Sequence, residues 1–294
     1  MSQSRSLNDI HRINIAFGNT MTPQEVVELE ESLFVGDYTL PPMRDDRTFS
    51  DRELMVAARE WIEQTLTHLK LMRKAEAEPF LRRDVRKSVT LYSDGGDPDD
   101  KTLIIALPGA NHRLMMPIPS LLQALPADRA DVLFIRDGTR SGYRQGLEGL
   151  ASSIDTLGPA IPRIIDISRY RRLAGLGVSA GGLPSLLLGL QMGSGAVLVC
   201  GGGSPNDPRW VRPGQALPAD TLRAAAERGI DAKLTIAFGT HSDPDRASAR
   251  DICACLGIEP LEVSSRSEEV RHNILHPLAL DGLLPAFLAD RLGL

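Results

Sequence analysis

The stretch of this sequence best equipped to do chemistry is Gly177-Val178-Ser179-Ala180-Gly181. A serine hydroxyl is a weak nucleophile until a base takes its proton. A sharp strand-to-helix turn lifts such a hydroxyl clear of a sheet and points the amide end of the following helix at the reacting centre. Side chains two residues before and after the serine would collide with the neighbouring strand and helix, so glycine fits both places. The five-residue pattern is common by itself, and its setting sharpens it. Leu173 to Val178 reads as an apolar strand. Leu183, Leu186, Leu187, Leu188, Leu190 and Met192 read as a helix apolar nearly all round, as one buried under the centre of a sheet would be. Pro184 falls in its first turn, where proline is tolerated. The competing reading is a serine helix cap in an ordinary turn.

On these residues the chain resembles the α/β-hydrolase family, over roughly residues 85 to 294 and with the elements in the family's order. The resemblance implies a triad in the order nucleophile, acid, histidine. The acid is expected in Phe238-Gly239-Thr240-His241-Ser242-Asp243-Pro244-Asp245, where Asp243 matches the family's acid best and Asp245 is second. Asp207 is a more distant third. Either loop aspartate could instead cap the helix that follows. The histidine is expected in Arg271-His272-Asn273-Ile274-Leu275-His276-Pro277. His272 looks like the family's base, and His276 is the alternate. The resemblance also implies an oxyanion hole from the amides of Ala180 and Ala110, with Asn111 as the alternate to Ala110. His112 and Arg113 come next, and could meet an anionic substrate or be solvated.

These groups need a scaffold, and the sequence supplies one. Strands are expected at Val85–Tyr92, Leu103–Leu107, Val132–Ile135, Leu173–Val178, Gly195–Cys200, Leu234–Phe238 and Leu261–Val263. Helices are expected at Pro119–Leu125, Tyr143–Leu157, Gly182–Met192, Thr221–Arg228, Arg246–Leu256 and Pro277–Leu292. That alternation predicts an α/β fold, an α/β-hydrolase-type doubly wound, mostly parallel sheet, with ligands beyond the carboxyl ends of its strands. Residues 1–84 read instead as an N-terminal helical extension to the 85–294 domain. Thr22-Pro23-Gln24-Glu25 and Ser50-Asp51-Arg52-Glu53 are capping boxes. Leu54, Ala58, Trp61, Ile62, Leu66, Leu69 and Met72 recur at helical spacing. This helix is expected to pack on the main domain; an active-site cap or a homo-oligomer arm is the alternative. Segment 204–230, with Trp210, Pro205, Pro208, Pro213 and Pro218, reads as a short lid or pocket wall, and Met115, Met116 and Trp210 suggest an apolar acyl pocket.

Composition narrows the class. The 294 residues carry a net charge of −5, so nucleic acid is not the expected partner. Three cysteines, Cys200, Cys253 and Cys255, do not make a disulfide framework. His241-x-Asp243-x-Asp245 lacks further ligands at metal spacing, and neither metal nor organic cofactor is expected. The N-terminus shows no secretory pattern and no apolar run is long enough to span a membrane, which points to the cytosol. The expectation is a serine hydrolase acting on a small-molecule ester, thioester or related acyl substrate. An acyltransferase on the same triad and a non-catalytic binding or assembly protein are the alternatives.

Overall fold

A continuous apolar run forms a strand only where both its faces are covered, and Leu103 to Leu107 lies at the middle of such a sheet. The computed structural model describes residues 21–35, 51–72, 76–205, 207, 209, 219–227 and 231–294. Its sheet comprises β1 (Leu81–Arg86), β2 (Val89–Ser93), β3 (Thr102–Leu107), β4 (Ala130–Ile135), β5 (Arg172–Val178), β6 (Ala196–Cys200), β7 (Lys233–Gly239) and β8 (Leu261–Val263). The helices are α1 (Pro23–Val35), α2 (Asp51–Leu71), α3 (Ile118–Gln123), α4 (Ile154–Ala160), α5 (Gly182–Gln191), α6 (Ala219–Glu227), α7 (Asp243–Leu256), α8 (Leu275–Leu280) and α9 (Leu284–Leu292). Strand order across the sheet is β1-β2-β4-β3-β5-β6-β7-β8. The pairs β1/β2 and β2/β4 are antiparallel and all others are parallel.

Alternate residues of β3 enter opposite cores, as the two-residue period of a strand requires. Ile104 and Ala106 join a cluster with Leu121, Leu278 and Leu288, from α3, α8 and α9. Leu103, Ile105 and Leu107 face Leu157 of α4 and Leu188 of α5. On that same side Val197, Val199 and Ile236 pack against α5 and α7. The registers place Leu107 beside Gly177, Val178 beside Cys200 and Cys200 beside Ala237. The carboxyl ends of β3, β5, β6 and β7 therefore line up, and the loops that leave them converge.

The N-terminal helices pack on this domain. The cap of α1 closes in both directions: Glu25 N–H donates to Thr22 Oγ1 at 3.2 Å, and Thr22 N–H donates to Glu25 Oε2 at 2.7 Å. Val26 and Leu29 of α1 bury against Ala58, Trp61, Ile62 and Leu66 of α2. Met72, just beyond α2, enters the main core. The Ser50 capping box and the side chain of Leu54 lie outside the described residues.

Four elements depart from expectation. The strand expected at Val85–Tyr92 is a hairpin of β1 and β2 turning at Lys87-Ser88, and β1 runs across the expected boundary at residue 84. The helix expected from Tyr143 begins only at Ile154, because Tyr143, Gly146 and Gly149 hold left-handed φ of 63°, 66° and 72° that no α-helix accepts. The helix expected over Pro277–Leu292 is two, α8 and α9, broken at Gly282 with φ of 70°. The fourth departure is the start of α7, three residues early, and it bears on the site.

Candidate active site

At the carboxyl end of β5 the chain turns directly from strand into helix. Ser179 holds φ of 51°, a left-handed backbone that a serine adopts at a cost of about 1–3 kcal/mol. The glycines around it leave room for that bend. A Cβ on Gly181 would stand 2.2 Å from the Leu107 carbonyl oxygen. A Cβ on Gly177 would stand 2.4 Å from Ser185 Cβ. The hydroxyl is thus set on a tight elbow between β5 and α5, above a mostly parallel sheet with helices on both faces. The fold is the α/β-hydrolase fold.

In this hydrolase fold the elbow serine meets a histidine and a buried carboxylate. His272 follows β8, and its Nε2 lies 3.0 Å from Ser179 Oγ. Its Nδ1 lies 2.8 Å from Asp245 Oδ2. With Nδ1–H donating to the carboxylate, Nε2 presents its lone pair to the serine hydroxyl. The histidine side chain is 44% exposed and Asp245 is 0% exposed, so the imidazole meets solvent while the carboxylate does not. Gly201, which follows β6 with φ of 58°, makes way for the ring: a Cβ there would stand 3.1 Å from His272 Nδ1.

Asp243, the expected acid, is elsewhere. Its carboxylate is 91% exposed and pairs with Arg246 at 2.8 Å. Helix α7 starts at Asp243, and residues two apart on a helix point about 200° apart. Asp243 and Asp245 therefore face opposite sides, and only Asp245 faces His272. Asp245 Oδ2 also accepts from Ser242 Oγ at 2.7 Å, and Oδ1 accepts from Arg209 at 2.9 Å. Burial pushes this carboxyl up, but His272, Ser242 and Arg209 together hold it below the usual carboxylate range. Arg209 is fixed in turn by Asp207, whose oxygens accept from its Nε and Nη2, and Asp207 accepts from Ser248 Oγ at 2.6 Å. Asp207, the third acid candidate, thus touches the site through Arg209. Nothing in the sequence pattern marks Arg209 or Ser242, whereas the run Gly201-Gly202-Gly203 after β6 was a visible sign of a close approach.

His276 does not reach the serine. It sits on α8 facing α2, with Nδ1 3.1 Å from Glu268 and Nε2 3.2 Å from His68 Nε2. His241, the nitrogen donor of the rival metal constellation, is exposed, and among the described residues no three His, Cys, Asp or Glu side chains are grouped to hold a metal ion.

A cavity of about 550 Å³ opens over Ser179, with Gly109, Ala110 and Ala180 in its wall. A Cβ on Gly109 would stand 3.0 Å from Ser179 Cβ, so glycine there lets the loop after β3 close on Ser179. That loop is held by His112 N–H donating to Gly109 O and Gly109 N–H donating to Arg113 O. Asn111 is exposed and lies outside the cavity wall, and His112 Nε2 bonds to the Asp137 carbonyl oxygen at 2.8 Å. Among the described residues, the rest of the wall comes from Pro108, from Asp137 and Thr139 to Gln145 after β4, from Leu183 and Pro184 at the start of α5, and from Gly203 to Pro205 and Arg209. Met115 and Met116, expected to line an acyl pocket, are not in this wall: Met116 is buried in the core. Of the expected lid, Pro208, Trp210, Pro213 and Pro218 lie outside the described residues.

No protein-family model and no curated protein sequence matches the chain. Among solved structures it is similar to the enterobactin esterase of Shigella flexneri, at 17% identity and a TM-score of 0.48, over 74% of this chain and 61% of that one. It is similar to carboxyl esterase 2 of Tuber melanosporum, at 12% identity and a TM-score of 0.48, over 75% and 88% of the two chains. It is also similar to the capsule O-acetyltransferase of Neisseria meningitidis serogroup A, at 13% identity and a TM-score of 0.44, over 70% and 94%. The chain thus spans about three fifths of the Shigella enzyme.

Proposed function

We propose that this chain is a serine hydrolase that cleaves a carboxylic ester, thioester or related acyl compound through an acyl-enzyme on Ser179. The observation that carries the reading is the continuous hydrogen-bonded line from Ser179 Oγ to His272 to Asp245, at 3.0 and 2.8 Å. As the serine oxygen attacks the acyl carbon, His272 Nε2 takes its proton. The buried Asp245 carboxylate holds the ring's tautomer and stabilises the imidazolium. The carbonyl oxygen becomes an oxyanion, and the amides of Ala180 and Ala110 are its assigned donors; one such donor contributes about 3–4 kcal/mol in related sites. The intermediate collapses by breaking the bond to the alcohol or thiol, which leaves with the proton from His272. Water then gives a proton to His272 and its oxygen to the acyl carbon; the bond to Ser179 Oγ breaks, the acid leaves, and His272 returns the proton to Ser179 Oγ.

The test is steady-state hydrolysis of a chain-length series of 4-nitrophenyl esters by wild type and Ser179→Ala. The reading expects turnover above background in wild type that disappears in the variant. Equal rates in both would refute it. Adding an alcohol or amine acceptor separates hydrolysis from acyl transfer: acylated acceptor at the expense of free acid would reassign the second half of the cycle.

A further inference from the structure

Beyond β6 the chain runs back along α7, and three side-chain contacts tie it there. Ser204 Oγ donates to Asp251 Oδ2 at 3.2 Å, Ser248 Oγ donates to Asp207 Oδ2 at 2.6 Å, and Arg209 Nη1 donates to Asp245 Oδ1 at 2.9 Å. The three partners on α7, Asp245, Ser248 and Asp251, recur every three residues and so follow one inclined ridge of the helix. The loop meets them in reverse order, its direction opposed to that of the helix. Ser204, Asp207, Asp245 and Ser248 are all buried. The last contact of this seam falls on the carboxylate that meets His272.

Arg209 is the cation between two buried carboxylates. Its Nε and Nη2 form a fork on Asp207, its amide N–H donates to Asp207 Oδ1 at 2.9 Å, and its Nη1 reaches Asp245. Its bonds to Asp207 and then to Asp245 push the guanidinium pKa above the ordinary value, although burial lowers it, so the group stays charged. Asp245 divides its oxygens: Oδ2 accepts from His272 and Ser242, and Oδ1 from Arg209. Among the described residues Oδ1 accepts from no other donor, so Arg209 alone resists rotation of the carboxylate from that side. The His272 side chain hydrogen-bonds Ser179 and Asp245, and Arg271 beside it pairs with Glu269 at 2.9 Å.

We propose that Arg209 is a positioning residue of the triad: held by Asp207, it fixes the Asp245 carboxylate with Oδ2 on His272 and offsets part of its negative charge. The proposal rests on the hydrolase reading for the roles of Ser179 and His272. Without Arg209 the carboxylate can turn away from the ring, and the tautomer that presents Nε2 to Ser179 loses its support. The electrostatic consequence has a definite sign. A carboxylate freed of its guanidinium stabilises an imidazolium more strongly, and Asp207, deprived of the same partner, adds to that field. The ring in such a variant holds its extra proton to higher pH than in wild type.

Two measurements on the full chain test this. One is the pH profile of 4-nitrophenyl ester hydrolysis; the other is the imidazole titration of His272 by NMR, its signals identified by their absence in His272→Ala. Arg209→Gln should lower kcat by about tenfold or more. It should also move the acid limb of kcat/KM and the His272 titration together to higher pH, by at least about half a pH unit. In an Asp245→Asn background the same substitution should lower kcat less than about threefold, because the group through which Arg209 acts is gone. Arg209→Lys, which keeps a cation, should recover part of both effects. If Arg209→Gln does not fold with Asp207 left unpaired, Asp207→Asn with Arg209→Gln, compared with Asp207→Asn alone, makes the same test. A residue that only braced the loop would change the folded fraction and leave the titration in place. An unmoved titration in the folded variant, or equal losses of kcat in the two backgrounds, overturns the proposal. Turnover separates it from the hydrolase reading. A titration that moves in a protein that cleaves no ester would sink the hydrolase reading alone. Ester cleavage lost in Ser179→Ala but indifferent to Arg209→Gln would sink the role of Arg209 alone.

Discussion

Replacing Asp245 by Asn, and Asp243 by Asn in a separate variant, asks which aspartate serves the histidine. Asp245 is fully buried and accepts three hydrogen bonds, from His272, Ser242 and Arg209. An asparagine has one oxygen and one amide where the carboxylate has two oxygens, so one donor among these three must face another donor. If the amide faces His272 Nδ1, the ring keeps its proton on Nε2 and can no longer accept from Ser179. The corresponding change in a well-studied triad lowers kcat by about 10⁴, which is about 5.4 kcal/mol of barrier. Arg209 keeps Asp207 as an anionic partner but loses its second one, and the unmade bond at this buried site also destabilises the fold by about 1–3 kcal/mol. Asp243 is 91% exposed and among the described residues its carboxylate pairs with Arg246 alone. Such a pair contributes about 0–1 kcal/mol, and Asp243→Asn should leave kcat within about twofold. The assay is kcat on a 4-nitrophenyl ester with circular-dichroism melts to confirm folding. A 100-fold loss in Asp243→Asn, with Asp245→Asn folded and within tenfold of wild type, would refute the assignment.

Other expectations follow from neighbouring contacts. Gly181→Ala puts a methyl 2.2 Å from the Leu107 carbonyl oxygen, and should destabilise by about 3 kcal/mol or more, read as a fall in the urea midpoint. Lys101 is buried, pairs with Asp94, and lies 3.0 Å from Asp131. Lys101→Met should cost about 3–5 kcal/mol in the same assay, since it strands a buried carboxylate. His68 sits against His276, itself bonded to Glu268, and burial first and the His276 charge second lower its pKa from the ordinary 6.5. A base depressed by folding contributes stability that is present above 6.5 and lost as pH falls toward the lower folded value. Melts from pH 8 to 5 should show that loss, and it should be smaller in His68→Gln; an unchanged slope would count against the linkage.

The elbow was legible because its demands are local: glycines at fixed offsets, an apolar strand before and an apolar helix after. The alternation of strands and helices was legible for the same reason, as was the Thr22 capping box. The choice between Asp243 and Asp245 was not. It turns on the first residue of α7, and a helix start read from sequence is uncertain by more than the two residues that rotate a side chain about 200°. The loop over the cavity read as a helix at Tyr143–Leu157 because its left-handed residues are enforced by the Asp137 carboxylate and the Ile135 carbonyl, both outside the segment. Arg209 carries no local signal, since it meets Asp245 across 36 residues of chain. By contrast Asp281-Gly282, where α8 ends, was a turn signal in plain view.

The most direct test of the central claim is covalent. Wild type treated with a fluorophosphonate should gain one adduct by intact mass, mapped by peptide sequencing to Ser179, and Ser179→Ala should gain none. His272→Ala, with Ser179 still present, should label at least about 10³-fold more slowly. An adduct on Ser179→Ala, or folded wild type that takes up no label, would contradict the account.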